Sequence, residues 1–577
     1  MPYTIKLEDA FKTYTLDQDK VISPGKTVEK FRNNLKEINL DILRSTVRID
    51  NGRLNIPVYF SLCGKDAENV TGTKKQMGKG GSPEQAEASA VMELAERFSF
   101  FSFYNDSKNF MVKTYDSVKK DALPFEMIAR SVHDQSDELS DVQKLFETLP
   151  LKWTWGYNLT CEKPVLIPFD WFFAINEFNG PSAGNCQEEA ISQGICEVVE
   201  RHVSAIISRK RLTIPSILLN NITEPLVSEM LQKYQKAGIR LFISDFTLDM
   251  GIPSIGVMAY DPSTFPERSE IVWTAGTTPD PQKSLSRALS ETAQLAGDFN
   301  TGSNYVASGL PKPTCLEDVA FITNPNGHIS LSELPNLSSS NIKVEIQKLI
   351  SALTKKNMEV LVVDTTHKDL GIPAFYTIIP GAHFRERAMG TSVGMFSAKL
   401  IFNNFSPGES FRRLKYAEKL LPDKFYIQFY MGNCLLVMNK PQSALTHFLK
   451  ALELNPTPED IASIYSYMGF CLKELKQYKE ALEVLEKGIK NDPYRTDIYN
   501  LMGFCHFKLK EHESAIICFK NILKLDPSSA IDYANIASNY KEMGDKEKAV
   551  QYYRIALELD PSIEFAIQNL EKLETSG

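Results

Sequence analysis

Between Glu84 and Phe98 (EQAEASAVMELAERF) polar and apolar positions recur at helical spacing. Ser89, Glu93, Glu96 and Arg97 fall at i, i+4, i+7 and i+8 and share one face, while Ala88, Val91, Leu94 and Ala95 offer apolar surface. Pro83 suits the first helical position and Ser82 the N-cap. A second such helix is predicted over Gln187–Val203, with Glu189, Glu197, Glu200 and Arg201 on one face and Ile191, Ile195, Val198 and Val199 elsewhere. A third, Ser284–Leu295, spaces Arg287, Glu291 and Gln294 at i, i+4 and i+7. ExxER occurs in the first two, which points to equivalent helices of a duplicated module.

Two strand-like segments also resemble each other. Ile239–Val257 and Met358–Ile378 each read as an apolar strand, Asp-x-Thr, Gly-Ile-Pro and a second strand, about 120 residues apart. The expected fold is an α+β domain with internal duplication. Asp245 and Asp364 are expected to organise turns at strand ends.

The last third repeats. Prolines at 422, 456, 493, 527 and 561 are spaced by 34, 37, 34 and 34 residues. Gly432, Gly469, Gly503 and Ala537 are each followed 12 residues later by Ala444, Ala481, Ala515 and Ala549, and 12 later again by a proline. Small residues let two antiparallel helices approach, and proline ends the second. The array resembles tetratricopeptide repeats: four units, with a degenerate one before Pro422 and a three-residue insertion near Thr457–Ile461. It suits either a dimerising solenoid or a peptide groove. No matched Lys/Arg cluster marks a carboxylate clamp.

Composition narrows the classes. The chain has 577 residues, enough for roughly three or four domain-sized units. A net charge of −8 disfavours a general nucleic-acid binder, and direct DNA binding is not expected. The first residues (MPYTIKLEDAF) do not read as a secretory signal, and no apolar run approaches the ~20 residues needed to cross a bilayer. Nine scattered cysteines without CxxC fit reduced thiols, so a cytoplasmic location is expected. Without HxH or HExxH a dedicated zinc site is not indicated.

Any one acidic helix alone could be a solvated face with i,i+4 ion pairs. Three together carry more. Two carboxylates 4 Å apart repel by about 4 kcal/mol at an effective dielectric of 20. Converging glutamates without counter-charge would need protons or a metal, and Mg²⁺, held by carboxylates and substrate phosphates, is the natural ion. Thr71–Ser82 (TGTKKQMGKGGS) reads as a glycine-rich loop leading into the first helix. It is not a Walker A sequence, because Gly80 follows Lys79 where Ser or Thr is required. Ser182-Ala-Gly-Asn185 precedes the second helix in the same way, and either helix N-terminus suits an anion. Cys186 and Cys196 are read as small packed residues before a sulfur relay.

These residues resemble the YcaO family across roughly residues 15–385. The first helix is similar to its S-x3-E-x2-E-R motif (Ser89, Glu93, Glu96, Arg97), Asn179–Arg201 to its second motif, and the third helix to its R-x3-E-x2-Q motif. Gly371–Gly381 (GIPAFYTIIPG) looks like the family's closing strand, and Lys20 and Thr27 sit where it has a nucleotide-contacting Lys and Ser. The resemblance implies an ATP-grasping α+β fold unrelated to P-loop proteins, which phosphorylates a peptide-bond oxygen so that a nucleophile can attack. It implies that Glu93, Glu96, Glu197 and Glu200 hold Mg²⁺. Nucleotide contacts would come from Lys20, Thr27, Ser89, Ser182, Asn185, Glu189, Arg201, Arg287, Glu291 and Gln294, with Arg201 and Arg287 the catalytic phosphate partners. His202 replaces the Asp common after ExxER and would alter a contact behind the ligands.

The expected organisation is an N-terminal segment (1–64), the ATP-binding domain (65–383), a helical linker or degenerate repeat (384–422) and the repeat domain (423–577). The ending LEKLETSG, in place of a Pro-rich tail, argues against azoline synthesis. The repeat tail instead resembles the branch linked to ribosomal-protein methylthiolation, as an accessory factor. Thioamide formation with a TfuA-type sulfur partner is the alternative. The expected partners are a peptide or protein substrate, a sulfur-transfer protein and, by family analogy, a second copy through the repeats. Rivals from other classes are a non-catalytic ATP-binding scaffold and a two-metal hydrolase.

Overall fold

The computed structural model describes residues 2–134, 136, 138–220, 222–300, 313–384, 392–526 and 529–575. Pro527 and residues 385–391 of the expected linker lie outside them. The chain divides into two compact units, one of Met1–Gln135 with Pro150–Thr391, the other of Ser136–Leu149 with Ser392–Gly577.

The first unit holds three sheets. β1 (Leu43–Arg48), β2 (Val58–Cys63) and β3 (Lys75–Lys79) form an antiparallel sheet in the order β1-β2-β3. β4 (Met111–Thr114), β5 (Pro150–Asn158), β6 (Lys163–Pro168), β7 (Pro181–Ala183), β13 (Leu361–Asp364) and β14 (Ala374–Ile378) form a six-stranded sheet ordered β4-β5-β13-β14-β7, with β6 also beside β5. β8 (Ser216–Leu218), β9 (Arg240–Asp245), β10 (Ser254–Tyr260), β11 (Val272–Thr277) and β12 (His328–Ser330) form the third, ordered β11-β10-β9-β8-β12.

The three acidic helices form where their periodicity places them. The first runs Pro83–Asn105, the Ser82 hydroxyl accepting the Gln85 N–H at 3.2 Å; the second runs Gln187–Lys210 and the third Pro281–Ala296. Each buries its apolar stripe. Ala88, Val91, Leu94 and Ala95 pack with Phe31 and Ile372; Leu285, Ala288 and Leu289 pack with Ile255 and Val257. The second helix touches β7 and β14 of one sheet and β11 of another. Gly194 permits this, since a Cβ there would lie 2.3 Å from the Thr377 hydroxyl.

The Asp-x-Thr segments are antiparallel hairpins, β9–β10 and β13–β14. Asp245 accepts the Thr247 N–H at 2.8 Å and Asp364 the Thr366 N–H at 3.0 Å, the side-chain turns expected of them. The hairpins lie in sheets of different size and strand order, and the likeness is local.

The second unit is helical. Val393–Asn404 and Pro407–Leu420 precede paired helices that begin with Phe425–Val437 and Pro441–Glu453. Gly432, Gly469 and Gly503 each face the partner helix, where a Cβ would come within 2.7 Å of Phe448, Leu485 or Phe519. The inserted residues lengthen Pro458–Glu474 to 17 residues, against 13 for Thr496–Lys508. Leu139–Glu147, far earlier in the chain, packs against Val393–Asn404 and Pro407–Leu420, and its Val142, Leu145 and Phe146 are buried.

Candidate functional site

The three acidic helices and β3 enclose a cleft of about 490 Å³. Of the residues read as metal or nucleotide contacts, Lys20, Thr27, Ser89, Glu93, Glu96, Asn185, Glu189, Glu197, Arg201, Arg287 and Gln294 line it. Three do not. Ser182 is fully buried, its hydroxyl donating to the Ala190 carbonyl at 2.7 Å, so it fastens β7 to the second helix. Glu200 is 1% exposed behind the wall. Glu291 is set back and bonded by Lys79.

Cations alternate with the carboxylates. Arg97 donates to Glu93 at 2.9 Å and lies 3.5 Å from Glu96. Arg201 stands 3.9, 3.6 and 4.0 Å from Glu197, Glu200 and Glu291. Arg287 donates to Glu200 at 3.0 Å and to Gln193 at 3.1 Å, which fixes its fork. The glutamates therefore do not converge without counter-charge: the same helices carry it, because the Arg of each ExxER lies one residue after its second Glu. Among the described residues no three His, Cys, Asp or Glu side chains stand together as a ready metal shell.

The balance is incomplete. Burial pushes Glu197 up to about 7, against the pull of Arg201, Arg97 and Arg287, and burial with nearby Glu93 raises Glu96 well above the usual range. Burial would raise Glu291 too, but Lys79, Arg201 and Arg287 outweigh it and hold the group at about 2. Glu200 Oε1 is buried 3.6 Å from the Arg201 guanidinium and accepts no hydrogen bond from the described residues. Buried, oxygen-only donors with excess negative charge fit a hard divalent ion.

The stretch read as a glycine-rich loop is a strand over Lys75–Lys79, and its glycines do other work. Gly78 packs β3 on the first helix, where a Cβ would lie 2.0 Å from the Ala90 nitrogen. The Gly81 N–H is taken by Asp17, at 2.6 Å, which also accepts from Ser286 at 2.9 Å. At the second helix Glu189 Oε2 accepts both the backbone and side-chain N–H of Asn185 at 2.9 Å, and its Oε1 accepts the Val21 N–H at 2.6 Å. The sequence reading missed Lys79, 2.6 Å from Glu291, and Lys75, Gln76 and Gln193 in the lining. Residues 75–79 (KQMGK) show no polar–apolar alternation that would have marked a strand.

His202 faces away from the cleft lining: its Nδ1 accepts the His383 N–H at 3.0 Å, and burial followed by His133 lowers it to about 4. Burial raises Cys186 to about 11 and Cys196 to about 12, so both are held as thiols.

Residues 77–383 match the family model described as YcaO cyclodehydratase, ATP- and Mg²⁺-binding. The chain belongs to the YcaO family. Residues 462–495, 496–529 and 533–563 match the tetratricopeptide-repeat model. The YcaO relatives include a protein of Methanothermobacter thermautotrophicus, 26% identical over 63% of this chain and 94% of its own length. Another, encoded in the tfuA 3′ region of Rhizobium leguminosarum bv. trifolii, is 22% identical over 66% and 93%. The ribosomal protein S12 methylthiotransferase accessory factor YcaO of Escherichia coli is 26% identical over 53% of this chain and 56% of its own. Among solved structures, a heterocyclase in complex with substrate and cofactor superposes with TM-score 0.53 at 21% identity, covering 66% of this chain and 55% of its own. YcaO from Methanopyrus kandleri bound with AMPPCP and Mg²⁺ gives 0.50 at 20%, covering 65% and 94%. These likenesses establish the α+β fold. No described helix is long and apolar enough to cross a membrane.

Proposed function

We propose that the cleft binds ATP with Mg²⁺ and that the enzyme O-phosphorylates a backbone amide of a peptide or protein in the cytoplasm. The observation that carries this reading is the meeting of Glu93, Glu96 and Glu197 with Arg97, Arg201 and Arg287 on one cleft, within a domain of an ATP- and Mg²⁺-binding family. Glu93, Glu96 and Glu197 of the lining would hold the ion, and Glu200, set behind them with its Oε2 taken by Arg287 and the Thr277 N–H, would join through its buried Oε1. Lys20, Thr27, Ser89, Asn185, Glu189 and Gln294 would border the nucleotide. Bound there, ATP with Mg²⁺ supplies the phosphoryl group that turns an inert amide into an electrophile. Arg287, fixed by Glu200 and Gln193, and Arg201 would meet charge developing on the phosphoryl oxygens with little reorganisation.

The finer reading is an accessory role in methylthiolation of a ribosomal protein, supported by the name of the Escherichia coli relative. The tfuA-adjacent relative, spanned over nearly its whole length, favours thioamide formation with a sulfur-handling partner as the second reading. The deciding experiment is calorimetric titration of a non-hydrolysable ATP analogue with Mg²⁺ into wild type and Glu93→Gln/Glu200→Gln. Micromolar binding that the double variant loses is the expected result. A wild type that binds no analogue would leave a repeat-bearing scaffold as the better account.

A further inference from the structure

β3 is the edge of its sheet, and its edge borders the cleft. Side chains from both faces of the strand, Lys75, Met77 and Lys79 on one and Gln76 on the other, line the cavity. The register fixes which backbone groups point outward. Cys63 donates to the Lys74 carbonyl at 2.9 Å, and the strands pair Ser61 with Gln76 and Tyr59 with Gly78. Hydrogen-bonded pairs alternate in an antiparallel ladder, so Lys74, Gln76 and Gly78 turn their N–H and C=O groups toward β2. Lys75, Met77 and Lys79 turn theirs away from it. Those outward groups make no hydrogen bond with the described residues.

The geometry points to this edge as the seat of an extended peptide, added as a fourth strand that carries a backbone amide to the cleft. The inference rests on the amide-activation reading and names how the substrate is held. Free ladder groups recognise main chain without regard to side chain, which suits an enzyme acting on a peptide bond. Charge selects the occupant. Lys74 and Lys75 are exposed on opposite faces of the edge, Lys75 with its ammonium 4.1 Å over the Phe60 ring, whereas Lys79 is paired with the carboxylate of Glu291. An acidic segment complements them. A second copy's β3 would set lysines against lysines, and like charges directly opposite are destabilising.

The test is fluorescence anisotropy with a fluorescein-labelled, end-blocked Glu-Thr-Glu-Val-Glu-Thr peptide, in Mg²⁺ and the non-hydrolysable ATP analogue. We expect binding that alternate-residue N-methylation weakens on the order of tenfold, about the value of one or two main-chain hydrogen bonds. The Lys-Thr-Lys-Val-Lys-Thr counterpart should bind more weakly. Lys75→Pro should also weaken binding, since proline at the first residue of an edge strand removes only the outward N–H. A circular-dichroism melt checks that this variant folds, and the methylated peptide tests the wild type independently. Indifference to N-methylation, equal binding of the basic peptide, or a dimer that Lys75→Pro dissolves would each overturn the inference. Absent peptide binding with the analogue still bound would sink the edge alone. Methylation-sensitive peptide binding with no analogue bound would sink the functional reading and leave the edge standing.

Discussion

Glu197 faces three arginines, yet burial keeps its carboxyl up at about 7. A carboxyl raised in the folded state favours folding while protonated. That contribution is complete below the unfolded value near 4.5 and is lost as pH rises through about 7. Glu197→Gln should therefore raise the melting temperature at about pH 8 and leave it nearly unchanged at about pH 5, read by scanning calorimetry. Asp17 is a different case. It is 2% exposed and ties the Gly81 N–H to Ser286, and so steadies the segment that carries Lys20. Asp17→Ala should cost about 1–3 kcal/mol, because a buried N–H loses its acceptor; the urea midpoint reports it. The sequence made the acidic residues visible but not this pairing, because Asp17 and Ser286 are 269 positions apart.

At the scale of elements, the acidic helices were legible because 3.6-residue periodicity and caps are local signals. Their counter-charge was legible too, since Arg97 and Arg201 fall on the same helical faces as the glutamates. β3 was not legible: it is five residues long and flanked by glycines that suit a loop equally well. What made it a strand is tertiary, the pairing with β2 and the close seat on the first helix. Gly78→Ala tests that seat. With a Cβ placed 2.0 Å from the Ala90 backbone, strand and helix must part, at about 1–3 kcal/mol. Lys79 would move with the strand, so binding of the ATP analogue should weaken beside the fall in melting temperature.

For the whole molecule, the two compact units are not consecutive segments of the chain. Ser136–Leu149 leaves the first unit to join the second, then the chain returns at Pro150. No local pattern announces this, since Leu139–Glu147 reads as any short amphipathic helix. A chain ending at Thr391 should therefore expose Val142, Leu145 and Phe146, each buried here and worth about 1.5–3 kcal/mol. It should bind more hydrophobic dye than the same truncation with residues 136–149 replaced by a Gly-Ser linker. The crossing also sets a clock on synthesis. About 240 residues separate Leu149 from Ser392. At roughly 5–20 residues per second a ribosome takes about 12–50 s to supply the surface this helix needs. During that wait the apolar face of this amphipathic helix, with Phe146 on it, lacks the surface it packs against in the finished chain.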